Sequence, residues 1–349
     1  MTYPPGPPGA PYGYGYPPPP PPPKPGVIPL APLGFGTVLS GAFVTFGRYW
    51  KQLLGVVGAV YGAALLVVGA AMGIAYALVG DLFPAVFDLP SGQEPRWDDV
   101  RPLIVALVCV WVAAALAILC ANAVVAAACP AVVQEAVLGR PLAFGALWRR
   151  SWSRVPAVLG AVLLTSLVLL VPTVLFLGSF VGLFLAAVSL DHGVLIGPLI
   201  GFAGALLVLP LAFWIWVRFS LAPAAAVMEG QGAVASMRRS ASLVAGSWWR
   251  LFGCLLAAGA MASVASWLIQ QVLSMLLSVP LATVNFSGDD PAAVVASFVV
   301  LFAFLAVGQL IGQGLVSVFP PLVTALLYVD QRLRKENLGP ELARAAGLL

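Results

Sequence analysis

The chain has 349 residues, 61% hydrophobic and only 9% charged, with mean hydropathy +1.01 and a formal net charge of +4. A soluble domain carries roughly a quarter charged residues, so this composition excludes a water-soluble globule and points to a surface solvated by lipid. The modest charge carries no nucleic-acid signature, and a single histidine, His192, excludes a His-rich metal site.

Residues 1–26 form a Pro/Gly/Tyr-rich segment with no apolar h-region, so it is not read as a signal peptide. The run Pro17 to Pro23 fixes φ and lacks N–H donors, which predicts polyproline II: either a solvated tail or a docking site for a protein partner with aromatic grooves. From residue 27 to 331 the pattern predicts an all-α integral membrane domain with six transmembrane helices, at about 53–79, 102–128, 155–178, 194–217, 251–279 and 292–319. The third apolar region continues to Leu190; residues 179–190 are expected as an extension or an interfacial piece, with Pro172 as a kink. Residues 332–349 are a charged tail.

Fifteen of the 17 Lys and Arg residues fall on one side of this topology and only Arg96 and Arg101 on the other. Positive residues stay in the cytoplasm, so both termini are expected there and the location is the cell (plasma) membrane. The opposite loops are acidic, with Asp81, Asp88, Glu94, Asp98, Asp99, Asp191, Asp289 and Asp290.

The chain also repeats itself weakly. FGTVLSGAFVTFGRYWKQLLG, PLAFGALWRRSWSRVPAVLG and AVASMRRSASLVAGSWWRLFG share one order: an amphipathic stretch, an aromatic-basic anchor, a span. The returning helices end on Cys129-Pro130-Ala131-Val132-Val133, Ala222-Pro223-Ala224-Ala225-Ala226 and Phe319-Pro320-Pro321-Leu322-Val323. Three hairpins of one unit follow, each preceded by a cytoplasmic interfacial helix. The apolar faces are Phe35, Val38, Leu39, Ala42, Phe43 and Phe46; Phe144, Leu147, Trp148 and Trp152; and Val234, Met237, Ala241, Val244 and Trp248. The flanking anchors Arg48, Trp50, Lys51, Arg149, Arg150, Trp152, Arg238, Arg239, Trp248, Trp249 and Arg250 suit a helix at headgroup level and membrane lipids with anionic headgroups.

No Asp, Glu, Lys or Arg lies near the middle of any expected span, which lowers the case for ion-coupled transport. The neutral polar residues Asn122, Gln270, Gln309 and Gln313 sit inside the membrane, either joining helices by hydrogen bonds or lining a path. Gly58/Gly62, Gly69/Gly73, Gly178/Gly182, Gly193/Gly197/Gly201 and Gly308/Gly312 fit the GxxxG pattern of closely packed helices. Glu135, Glu229 and Asp330 are expected as solvated rim charges, with pairing to nearby arginines as the alternative. Cys109, Cys120, Cys129 and Cys254 form no metal or redox motif and are expected as small hydrophobes. Asn285-Phe286-Ser287 is a formal glycosylation sequon only. No phosphate loop, nucleophile elbow or zinc motif is present, and no cofactor is implied.

The segments WVRFSLAPAAAVMEGQGAVASMRRSASLVAGSWWRLFG and TALLYVDQRLRKENLGPELARAAG resemble actinobacterial multi-spanning proteins of the glycerophosphoryl diester phosphodiesterase membrane domain type. The resemblance implies the helical membrane fold from about residue 30 onward and a cell-membrane location. It implies no activity, because the catalytic histidines and metal-binding carboxylates of related enzymes belong to a separate barrel domain with no counterpart here. The expected function is therefore a non-enzymatic membrane scaffold or accessory subunit with a proline-rich docking tail. The alternatives are a transporter or lipid-handling protein and, remotely, a glycerophosphodiester-related enzyme.

Overall fold

The computed structural model describes residues 25–82, 86, 96–189, 196–283, 316–345 and 347. Regular structure among them is helical: α1 (Phe35–Val79), α2 (Trp97–Val137), α3 (Phe144–Ser189), α4 (Ile196–Phe219), α5 (Ala222–Met228), α6 (Ala233–Val244), α7 (Trp248–Thr283), α8 (316–335) and α9 (Gly339–Ala345). Helix is the expected solution in lipid, because it satisfies every backbone N–H and C=O within one segment. Five stretches are long and apolar enough to cross a bilayer: Phe35–Leu82, Trp97–Val137, Phe144–Gly182, Phe202–Met228 and Trp248–Leu276. The protein is an all-α membrane protein. Of the sixth expected span, residues 292–315 lie outside the described residues and 316–319 open α8.

Two boundaries within the expected units are visible. The 45 residues of α1 are two helices that meet at a kink at Tyr49 (φ −116°, ψ 22°), between the first amphipathic stretch and the first span. α3 runs 46 residues from Phe144 through Pro172 and past residue 178, so residues 179–189 continue the span helix as an extension. α6 is separated from its span by a non-helical connector. There the connector Ala245-Gly246-Ser247 includes a glycine at φ +82°, a conformation that ends a helix readily. The first two units contain no such glycine between stretch and span.

Burial is confined to one end of the bundle. Among the described residues, no residue of α1 beyond Ala64, of α2 before Ala121, of α3 beyond Ala161, of α4 before Val217 or of α7 beyond Ala262 is buried. The core consists of the C-terminal half of α2, all of α5, and α8, against which α1, α3, α6 and α7 pack. These three segments are the ones that carry the repeated proline motifs. Their alanines let backbones approach closely: Ala123, Ala127, Ala131, Ala225 and Ala226 are fully buried. The Cys129 thiol lies 3.6 Å from the Val318 carbonyl, which measures that approach directly.

At the other end α1 and α2 stay paired and leave open apolar clefts of about 430 and 590 Å³ along their seam, lined by residues such as Met72, Tyr76, Leu103 and Leu107. The glycine pairs do not act as expected there. A Cβ built on Gly58, Gly62, Gly69, Gly73 or Gly178 meets no atom of the described residues, so these positions face outward and do not close the described bundle. Gly193 and Gly308/Gly312 lie outside the described residues, and the surroundings of Gly182, Gly197 and Gly201 are not described.

Candidate functional site

The polar chemistry is concentrated at the packed, arginine-rich end. Residues 25–34 cross it in a non-helical course ahead of α1. Val27, Ile28 and Leu33 of this segment are buried. Near its start the Val27 N–H donates to the Ala136 carbonyl at 3.1 Å, in the last turn of α2 where carbonyls lack helical partners. Gly26 is required by this contact, since a Cβ there would fall 2.1 Å from the Ala136 oxygen. Near its end the Leu33 N–H donates to Asp330 Oδ1 at 2.8 Å. The Leu33 carbonyl accepts from Arg250 Nη2 at 2.5 Å and from Arg334 Nη2 at 2.7 Å.

Asp330 has a fully buried side chain. Arg250 donates to its Oδ2, and Arg334 Nε lies 3.0 Å from its Oδ1, one helical turn along α8. One carboxylate thus holds two guanidinium groups, and all three close on the main chain of Leu33. A second cluster joins α5, α6 and α8. Glu229 accepts from Arg239 at 2.8 Å and from the Tyr328 hydroxyl, and Arg239 also pairs with Glu336, as does Arg332 at 2.9 Å. Burial, and then the Glu229 carboxylate, pushes the Tyr328 hydroxyl up, so it stays a neutral donor. The Arg239 hydrogen bond holds the Glu336 carboxyl below its ordinary range. A third pair, Arg150 with Glu135 at 3.0 Å and Gln134 at 2.6 Å, ties α3 to α2. Glu135, Glu229 and Asp330 are therefore paired, and Asp330 is no solvated rim charge. The neighbouring helices leave it no route to water.

The expected anchor residues divide into two sets. Arg48 donates to the Gly139 carbonyl at 3.1 Å, and with Arg150, Arg239 and Arg250 it turns inward to protein partners. Trp50, Trp152 and Trp249 are exposed; Lys51 Nζ lies 5.7 Å from the Trp50 ring, and Arg149 and Arg238 are exposed without an ion-pair partner among the described residues. Trp148 and Trp152 stack at 5.7 Å, continuing from Phe144 at 6.0 Å. Trp248 stacks on Phe252 at 5.1 Å, while its Nε1 lies 3.4 Å from the Trp214 carbonyl.

In α6 the face toward the protein is Ser236, Ser240, Leu243 and Val244; of the expected apolar stripe Val244 is buried, Met237 and Ala241 are half-buried and Val234 is exposed. Ser240 Oγ donates to the Arg218 carbonyl at 2.8 Å and accepts from the Leu221 N–H at 3.2 Å, sealing the α4–α5 turn. Hydroxyls suit this position because the turn leaves backbone groups unpaired.

A family described as a domain of unknown function (DUF7847) matches residues 53–330, most of the chain and nearly all of the packed core. The chain belongs to the DUF7847 family. No curated protein and no solved structure matches it. The DUF7847 region ends at Asp330 and leaves residues 25–34 and the first turns of α1 outside it.

Among the expected intramembrane polar residues, Asn122 accepts a hydrogen bond from the Tyr61 hydroxyl, joining α2 to α1. Gln270 is held by a partner within the structure. Gln309 and Gln313, His192 and the Asn285 sequon lie outside the described residues. Cys109 and Cys120 are exposed, Cys129 and Cys254 buried, and none of the four is bonded to another. Among the described residues no group of three His, Cys, Asp or Glu side chains is placed to hold a metal. The residues that sequence reading missed are Leu33, Tyr328, Arg332 and Arg334. One signal was available: Asp330 and Arg334, one helical turn apart, interrupt the apolar run of TALLYV.

Proposed function

We propose that this DUF7847 protein is a non-enzymatic membrane scaffold or accessory subunit that presents residues 1–24 from a rigid platform at its basic end. The supporting observation is the clamp on Leu33, where Asp330, Arg250 and Arg334 fasten the root of the N-terminal segment to the core helices. A tether that only trailed from α1 would need no such fastening. On this proposal the basic end is cytoplasmic, six spans form three like hairpins, and the outward set Trp50, Lys51, Arg149, Trp152, Arg238 and Trp249 rests on anionic headgroups. The proposal accords with the resemblance to phosphodiesterase membrane domains that lack a barrel. The test is gentle detergent extraction of the full chain and of a version starting at Pro25. A stoichiometric partner that copurifies only with the full chain supports the scaffold. Purification of the full chain alone counts against it.

A second function, handling of lipid or amphipathic solute, is favoured by the two apolar clefts between α1 and α2, whose combined size suits acyl chain. Proteoliposomes that scramble labelled lipid faster than empty vesicles would move the assignment there.

A further inference from the structure

We propose that the cleft occupied by residues 25–34 is a binding site for extended, apolar, proline-spaced peptide, and that the chain's own segment is its displaceable resident. The inference rests on the scaffold proposal for its biological use, but its chemistry stands alone. The cleft reads main chain: Asp330 takes an N–H, and Arg250 and Arg334 take a C=O of the same residue, Leu33. Side chains enter only as apolar bodies, Val27, Ile28 and Leu33, in buried positions. Backbone recognition with apolar pockets is how an extended peptide is held without a demand for particular polar side chains.

Two features make the occupant separable from its site. The segment contains Pro25, Pro29 and Pro32, which have no N–H to give, and its main-chain hydrogen bonds to the core cluster at Val27 and Leu33. The clamp, by contrast, holds itself together. Arg250 and Arg334 both pair with Asp330 directly, so without Leu33 the two guanidinium groups stay on their carboxylate, with one positive charge in excess and two donors left to take another carbonyl. A site that keeps its geometry without its occupant is preorganised for another. The position also suits exchange, since residues 1–24 continue directly from Pro25, and a partner engaging them would deliver its own extended segment beside the cleft.

The test uses the full chain in detergent and a fluorescein-labelled synthetic peptide with the sequence of residues 25–34. Ile28→Asp unseats the resident segment without touching the clamp. Peptide binding at least tenfold tighter to that variant than to wild type is expected, and adding Arg334→Gln should return it to the wild-type level. Equal binding to wild type and to a monodisperse Ile28→Asp chain would overturn the proposal. If Ile28→Asp fails to fold, hydrogen exchange on the wild-type chain decides. The Val27 and Leu33 amides should exchange at least a hundredfold faster than those of Val323 and Leu327 in α8, and equal protection would overturn the proposal. Loss of a partner on deleting residues 1–24 is a separate readout, so scaffold and cleft can fail independently.

Discussion

The two ends of this bundle are held by different physics. At the basic end, helix termini converge on alanine-rich segments, and three ion-paired clusters bridge α2 to α3, α5 to α6 and α8, and α7 and α8 to the N-terminal segment. At the far end long apolar helices stand beside clefts, with Leu107, Leu78 and Met275 largely exposed. In lipid there is no hydrophobic gain from bringing those surfaces together, because acyl chains are as apolar as leucine. Order therefore comes from the end where water, charge and protein meet. The contrast teaches that the specificity of this fold resides mostly at the charged, packed end, in groups that make up a small share of the sequence.

The largest effect that sharpens this comparison is expected for Asp330→Ala. It leaves Arg250 and Arg334 without their buried counter-charge and the Leu33 N–H without an acceptor, and should destabilise by about 3 kcal/mol or more in reversible unfolding from mixed micelles. A loss below about 1 kcal/mol would rank the clamp with ordinary surface pairs. Next, Ala225→Leu inserts bulk where α2, α3 and α5 meet and should cost about 1–3 kcal/mol. Leu107→Ala at the far end, 68% exposed, should stay within about 0.5 kcal/mol by the same assay. Equal effects would dissolve the distinction between the two ends.

A smaller effect concerns pH. The Glu336 carboxyl is depressed by Arg239, so its contribution is present above the ordinary value near 4.5 and is lost as pH falls through the lower folded value. Melting curves from pH 6 to 3 should show this loss, and Glu336→Gln should remove it; the partly exposed pair is worth less than about 1 kcal/mol. Smallest is Tyr61→Phe, which deletes the hydrogen bond to Asn122 at the seam between the two ends and should cost on the order of 0.6 kcal/mol. A much larger value would mean that polar contacts also organise the membrane interior.

Much of the helical layout was legible in the residues. The apolar runs from Leu53, Pro102, Val155 and Leu251 all fall within helices, because hydropathy over some 20 residues is a direct measure of the solvent a segment meets. The Asn122 bond to a neighbouring helix was also among the expected roles. The fate of the charges was not legible. Glu135 and Asp330 look alike in sequence, yet one is partly exposed beside Arg150 and the other is wholly buried between Arg250 and Arg334. Nor did the glycine spacing show which way Gly58 and Gly69 face, since a helix displays its small stripe equally to a neighbour or to lipid.

By itself, then, the sequence determined the solvent of each segment and the helical state that lipid compels. It also determined the one-sided distribution of arginine, because these depend on composition over a local window. Tertiary structure alone decided that residues 25–34 pack against the core, that Asp330 answers for two arginines and a backbone amide, and that α6 turns its serines inward. Each of those pairs groups far apart in the chain, such as Leu33 and Asp330, and only the packing of α7 and α8 brings them within a hydrogen bond of one another.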